Sequence, residues 1–231
     1  MRLVTFRLGS SPPRTGALIE GDRRVLDLQA AYGRVYHGAS PLLETMLHII
    51  EAGEAALDTI AQLLKAPAAS VMFGREEVQL LAPVPVPPQM RDFLCFEQHL
   101  RQAFEAVAKL RGTPARIPQV WYERPIFYHP NRFSVCGTDT DVPWPAYTER
   151  LDYELEFGCY IAKRGKDIPA MARATTSSAT PSSTTSRRAT SRPRKWPGSW
   201  DPARAKTSTT RTRWAPALSR RTSSATRTAW R

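Results

Sequence analysis

Glu154 and Glu156 lie two residues apart in the stretch Leu151-Asp152-Tyr153-Glu154-Leu155-Glu156-Phe157. Apolar Leu151, Tyr153, Leu155 and Phe157 alternate with the acids, which predicts a half-buried strand with its carboxylates on one face. Two aligned carboxylates repel each other unless a cation or protons sit between them. Oxygen donors of this kind suit a hard divalent ion such as Mg²⁺, with Mn²⁺ or Ca²⁺ as alternatives. Alone, E-x-E more often describes a solvated strand face. A second pair of residues sharpens the reading. Asp92 and His99 frame the stretch Asp92-Phe93-Leu94-Cys95-Phe96-Glu97-Gln98-His99, which reads as a strand-to-helix corner. Such corners present polar side chains at the end of a sheet, where sites form. Taken singly, His99 reads more readily as a structural histidine, and Asp92 as the cap of a turn.

The elements that must position these residues can be read from periodicity. Val4, Phe6 and Leu8 alternate with Thr5 and Arg7, predicting a strand. Residues 17–19 and 25–28 flank a Gly-Asp turn and predict a hairpin. Leu43, Met46, Leu47 and Ile50, then Leu57, Ile60, Leu63 and Leu64 beyond Gly53, predict one or two helices. Pro83, Pro85, Pro87 and Pro88 make a stiff connector. Residues 91–95 predict a strand. Glu97 to Arg111 predicts a helix with Leu100, Phe104, Val107 and Leu110 on one stripe. Residues 119–145, rich in aromatics and prolines, predict strands and loops of a β-rich body.

In this arrangement the chain resembles the fumarylacetoacetate hydrolase family. That family places an aspartate ligand seven residues before a histidine proposed as general base, as Asp92 and His99 are placed here. An E-x-E strand then supplies two further ligands, matched by Glu154 and Glu156. Trp121-Tyr122-Glu123-Arg124-Pro125 falls where the family often sets a substrate-facing tyrosine, which would be Tyr122. The resemblance covers about residues 1–169. It implies an α+β, mostly β fold: a small N-terminal α+β module over 1–82, then the first part of a mixed β-roll over 83–169. It implies a metal-bound β-diketo or enol acid substrate, hydrolysis of a C–C bond as in aromatic catabolism, and a homodimer in the intact protein. Isomerase or decarboxylase chemistry on a 2-hydroxymuconate-type acid is the alternative within the same family.

The chemistry of the chain breaks near Pro169. Beyond Ile168 the only Leu, Ile, Val or Phe is Leu218. Residues 170–231 carry 14 Lys and Arg against one acid, Asp201, so the net charge of +12 belongs to this tail and residues 1–169 sum to −1. A tail so poor in aliphatic residues cannot offset the entropy of ordering its backbone, and disorder is expected there. A basic arm for nucleic acid is one account of it. Against that account, Trp196, Trp200, Trp214 and Trp230 show no regular spacing and no nucleic-acid-binding motif precedes them.

A shifted reading frame is another account. The resembled family continues with an Asn-Asp pair and Phe/Trp-Ser-Ala-Arg-Asp, and this chain has neither. Read one base earlier, residues 175–190 permit D-Y-I-F-G-Y-T-I-F-N-D-F-S-A-R-D, and residues 206–216 permit K-D-F-D-N-A-N-A-M-G-P. These resemble the missing family blocks, in order. They predict an incomplete, inactive site in the chain as it stands.

No N-terminal signal pattern is visible, because Pro12, Pro13 and Arg14 interrupt any early apolar run. No stretch approaches the roughly 20 apolar residues of a membrane span. Cys95, Cys136 and Cys159 lie far apart, neither a disulfide framework nor a C-x-x-C pattern. A cytoplasmic protein with reduced thiols is expected.

Overall fold

The computed structural model describes residues 1–112, 114, 116–144 and 158–169, and the backbone alone of the strands over 150–157, 183–190, 211–214 and 218–219. The chain opens with β1 (Arg2–Arg7), β2 (Arg14–Ile19) and β3 (Arg24–Asp27). β1 and β2 are antiparallel with Val4 opposite Gly16, and β2 and β3 are antiparallel with Ala17 opposite Leu26. The β2–β3 turn holds Glu20, Gly21 and Asp22 all at positive φ. The glycine takes that conformation without penalty, and it fixes the hairpin register.

Both faces of this sheet are covered. Leu3, Ala17 and Leu26 point to one side, where they meet α1 (Leu28–Tyr36), α2 (Met46–Ala52) and α3 (Glu54–Leu63). Leu28, Ile49, Ile50 and Ile60 complete that core. Val4, Phe6 and Val25 point to the other side and pack with Val78 and Leu80. β4 (Met72–Gly74) adds to β3, and β5 (Gln79–Leu80) adds to β1.

Residues 25–28 do not form a strand throughout, because Asp27 ends β3 and starts α1. Its side chain accepts the Ala30 N–H at 3.0 Å as an N-cap, and its other oxygen accepts from Arg14 Nη1 at 2.7 Å. Asp27 is 1% exposed, whereas Arg14 remains half in water. Replacing Asp27 by alanine is expected to destabilise the protein by about 1–3 kcal/mol, combining a lost cap with a lost charge-assisted hydrogen bond. Asp27→Asn keeps the capping oxygen and is expected to lose less. Urea unfolding midpoints decide this, and equal losses for the two variants would show that the cap contributes nothing.

The proline-rich segment packs against the N-terminal sheet rather than standing free. Pro83 and Val84 are buried, and the Thr5 hydroxyl donates to the Pro83 carbonyl at 2.6 Å. Asp139 ties the later chain to the same place. It accepts from Arg75 Nη2 at 2.8 and 2.9 Å and from the Leu80 N–H at 2.9 Å. Tyr160 and Ala162 also pack against the helix-side core.

Beyond the connector come β6 (Asp92–Phe93), α4 (Glu97–Arg111), α5 (Val120–Glu123), β7 (Phe127–Tyr128) and β8 (Val135–Cys136). The strand expected over 91–95 contracts to two residues, paired antiparallel with β7. α4 has the expected bounds and ends at Gly112, φ 64°, a left-handed C-cap. Of its expected apolar stripe only Leu100 is buried. β9 (Arg150–Phe157), β10 (Ser183–Thr190) and β11 (Arg211–Trp214) join β8 in a four-stranded sheet of order β8-β11-β10-β9. β12 (Leu218–Ser219) pairs with the start of β1. The architecture is α+β. The expectation of disorder over 170–231 otherwise falls outside the described residues.

Candidate active site

The strand-to-helix corner is built from β6 and the first turn of α4. Asp92 is half-buried on β6, opposite Tyr128 of β7, whose hydroxyl donates to Asp92 Oδ2. His99 lies in the first turn of α4 and is exposed. Two residues before it, Glu97 gathers a small network. Glu97 Oε1 accepts from the Tyr122 hydroxyl at 3.0 Å and from Arg101 Nη2 at 2.6 Å. The structure thus brings Tyr122, on α5, to the helical turn that carries His99. The hydrogen bond to Glu97, chiefly, holds the Tyr122 phenol above its ordinary pKa.

Beside this turn lies an open depression of about 380 Å³ lined by Phe93, Leu94, Cys95, Trp121, Tyr122 and Arg124. The Trp121 indole donates to the Leu94 carbonyl at 2.7 Å and fixes one wall. Cys95 is exposed as a residue, yet neighbouring atoms strip part of the water from its thiol. That desolvation, then the Asp92 carboxylate, pushes its pKa up. Alkylation of Cys95 by iodoacetamide is therefore expected to reach half its maximal rate at a higher pH than alkylation of N-acetylcysteine. A midpoint at or below that of the free thiol would contradict the assignment.

Glu154 and Glu156 lie on β9. The β9–β10 register sets Glu156 opposite Thr184, Leu155 opposite Thr185 and Glu154 opposite Ser186. Of the two positions expected for the Asn-Asp pair, Thr184 therefore lies opposite Glu156 and Thr185 opposite Leu155. The side chains of β9 and β10 lie outside the described residues. Among the described residues no group of three or more His, Cys, Asp or Glu side chains gathers as a metal site. The expected ligands Asp92, Glu154 and Glu156 are all carboxylates, and that chemistry fits a hard divalent cation.

The Glu97–Tyr122–Arg101 network and the Tyr128–Asp92 contact were not visible in the sequence. The i,i+4 spacing of Glu97 and Arg101 was the one available signal, because that spacing places a Glu-Arg pair on one helix face.

Residues 89–230 match the fumarylacetoacetate (FAA) hydrolase C-terminal family, and the chain belongs to that family. Among curated proteins it is 27% identical over 169 residues to the mitochondrial oxaloacetate tautomerase fahd2 of Xenopus laevis, covering 73% of this chain and 46% of that protein. The chain thus spans less than half the length of that relative. Among solved structures it resembles maleylpyruvate hydrolase from Sphingobium sp. SYK-6 in complex with manganese(II) ion and pyruvate, with a TM-score of 0.61 and 17% identity, covering 95% of this chain and 67% of that one. A probable 2-hydroxyhepta-2,4-diene-1,7-dioate isomerase from Mycobacterium abscessus has a TM-score of 0.57 at 19% identity, covering 97% and 66%. Among the described residues no helix is long and apolar enough to cross a membrane.

Proposed function

We propose that the intact form of this protein is a divalent-metal enzyme acting on a small β-diketo or enol acid, with hydrolysis of a C–C bond as its reaction. The observation that carries the proposal is the Asp92/His99 corner preceding the Glu154/Glu156 strand, in a chain whose residues 89–230 match the family. The manganese and pyruvate held by the maleylpyruvate hydrolase neighbour support a metal and a keto-acid ligand. Asp92, Glu154 and Glu156 would hold Mg²⁺ or Mn²⁺. When bound, such an ion supplies Lewis-acid stabilisation of negative charge on substrate oxygens.

The remaining steps belong to the protein. His99 takes a proton from water or from the substrate carbon and returns it to the product. The Tyr122 hydroxyl, which donates to Glu97 here, would exchange that bond for one to the substrate acid and so orient it. Trp121 and Phe93 wall the depression and limit water on its apolar side. The chain as it stands is an incomplete version, because Thr184 and Thr185 occupy the positions of the family's Asn-Asp pair. Cytoplasmic location and homodimerisation of the intact form complete the reading.

Tautomerisation or isomerisation needs the same proton transfer without bond cleavage, and the fahd2 relative favours it as the second reading. The test uses a version with the frame restored near codons 169–170, assayed with Mn²⁺ on an acylpyruvate and on oxaloacetate. Release of pyruvate from the acylpyruvate supports hydrolysis. Enol–keto exchange of oxaloacetate without cleavage of the acylpyruvate replaces it by the second reading. Inertness toward both would overturn the proposal.

A further inference from the structure

The ribbon that carries Asp92 is short. β6 and β7 pair over two residues, Asp92 opposite Tyr128 and Phe93 opposite Phe127, and the Leu94 N–H adds one bond to the Ile126 carbonyl at 3.0 Å. A two-stranded ribbon of this kind is marginal in water, so its side chains must supply what the ladder lacks. Directly opposite residues are the pairs that interact across it.

The two faces do this differently. On one, the Phe93 and Phe127 rings meet with centroids 5.2 Å apart, and the Arg91 guanidinium lies over Phe127 at 4.7 Å. Arg91 Nη1 also donates to His129 Nδ1 at 2.8 Å. Alternation along the strands puts Asp92 and Tyr128 on the other face. There the Tyr128 hydroxyl donates to Asp92 Oδ2, and both residues are half-buried. Packing alone would be served as well by a phenylalanine ring. What the hydroxyl adds is a donor fixed on one oxygen of a carboxylate.

A carboxylate accepts more than one partner, so a hydroxyl on Oδ2 does not exhaust the capacity of Asp92. It does restrict the side-chain rotation that an arriving cation would otherwise have to freeze. Carboxylates that ligate metals are oriented by hydrogen bonds of this kind.

We propose that Tyr128 is a positioning residue, whose hydroxyl orients the Asp92 carboxylate for a divalent cation. The inference rests on the reading of Asp92 as a metal ligand and adds a residue to it. The two tyrosines then divide the work: Tyr122, bonded to Glu97, serves the substrate, and Tyr128 serves the metal.

The bond is tested in the full chain as given, without metal, by carbon NMR of aspartate labelled at its side-chain carboxyl. Tyr128→Phe is expected to shift the Asp92 resonance and to leave in place that of Asp139, which bonds Arg75 and the Leu80 N–H instead. An unmoved Asp92 resonance would overturn the inference. The consequence is tested in the frame-restored protein by a double-mutant cycle, read by calorimetric titration of Mn²⁺ alone. Tyr128→Phe is expected to weaken Mn²⁺ binding by about 10–100-fold, the loss typical of a partner outside the ligand shell. In the Asp92→Ala background the same substitution is expected to change binding by less than about threefold, because Tyr128 acts through Asp92. A residue that only supports the fold would cost the same in both backgrounds, and that result would overturn the inference. Undiminished binding by Tyr128→Phe beside weakened binding by Asp92→Ala would overturn it too, and would leave the metal reading standing. Undiminished binding by both variants would overturn the metal reading and the inference together.

Discussion

In the frame-restored protein, His99→Ala is expected to lower turnover by about 10²–10⁴-fold, the range typical of a positioned acid or base. The expectation rests on placement. His99 lies in the first turn of α4, seven residues after Asp92 and two after Glu97, which holds Tyr122. Histidine is the side chain that most often serves as a general acid or base. His99 is exposed and packs against no core cluster, so its removal should leave the unfolding midpoint within about 0.5 kcal/mol of the parent, as at other surface positions. Affinity for the metal should also be unchanged. Steady-state kinetics with calorimetric titration of Mn²⁺ separate these effects. A turnover within about threefold of the parent would remove His99 from the chemistry. A parallel loss of metal affinity would make it a ligand instead.

How much could be read before the structure differs from element to element. α4 was legible to the residue, because its apolar positions recur at helical spacing and Gly112 supplies the left-handed stop. α1 was not. Asp27 follows Val25 and Leu26 and continues a strand-like pattern, so its role as an N-cap emerges only with the Ala30 N–H in place. The two-residue strands β5, β6 and β7 are too short to show a period. Asp92, His99, Glu154 and Glu156 were legible as types at a spacing. The Glu97–Tyr122 bond was not, because it joins side chains 25 residues apart, one on α4 and the other on α5. The α4 stripe was legible as a pattern, but a pattern says which face can be buried and not what covers it. With Leu110 87% exposed, the pattern and the burial disagree.

Glu154→Ala and Glu156→Ala are expected to remove most divalent-metal binding from the frame-restored protein, with Asp92→Ala weakening it as well. Each substitution deletes a charged oxygen donor, and Mg²⁺ and Mn²⁺ sites rely on few such charges. The loss should exceed the roughly 10–100-fold that removal of a supporting partner outside the ligand shell produces. The two glutamates stand two apart on β9, so the loss of either also relieves the repulsion that burdens the metal-free site. Each variant is therefore expected to be at least as stable as the parent without metal and less stable than the parent with it. The chain as given supplies the complementary case. β10 places Thr184 opposite Glu156 and Thr185 opposite Leu155, and neither threonine brings a charge to the site. It should bind Mn²⁺ weakly, and Glu154→Ala should change that binding little. Calorimetric titration of both chains, with thermal unfolding in the presence and absence of Mn²⁺, reads both effects. Tight and equal binding by the chain as given would mean that the threonines replace nothing the site needs. In that case the carboxylates of Asp92, Glu154 and Glu156 would suffice on their own, and residues 170–231 would have no bearing on the metal.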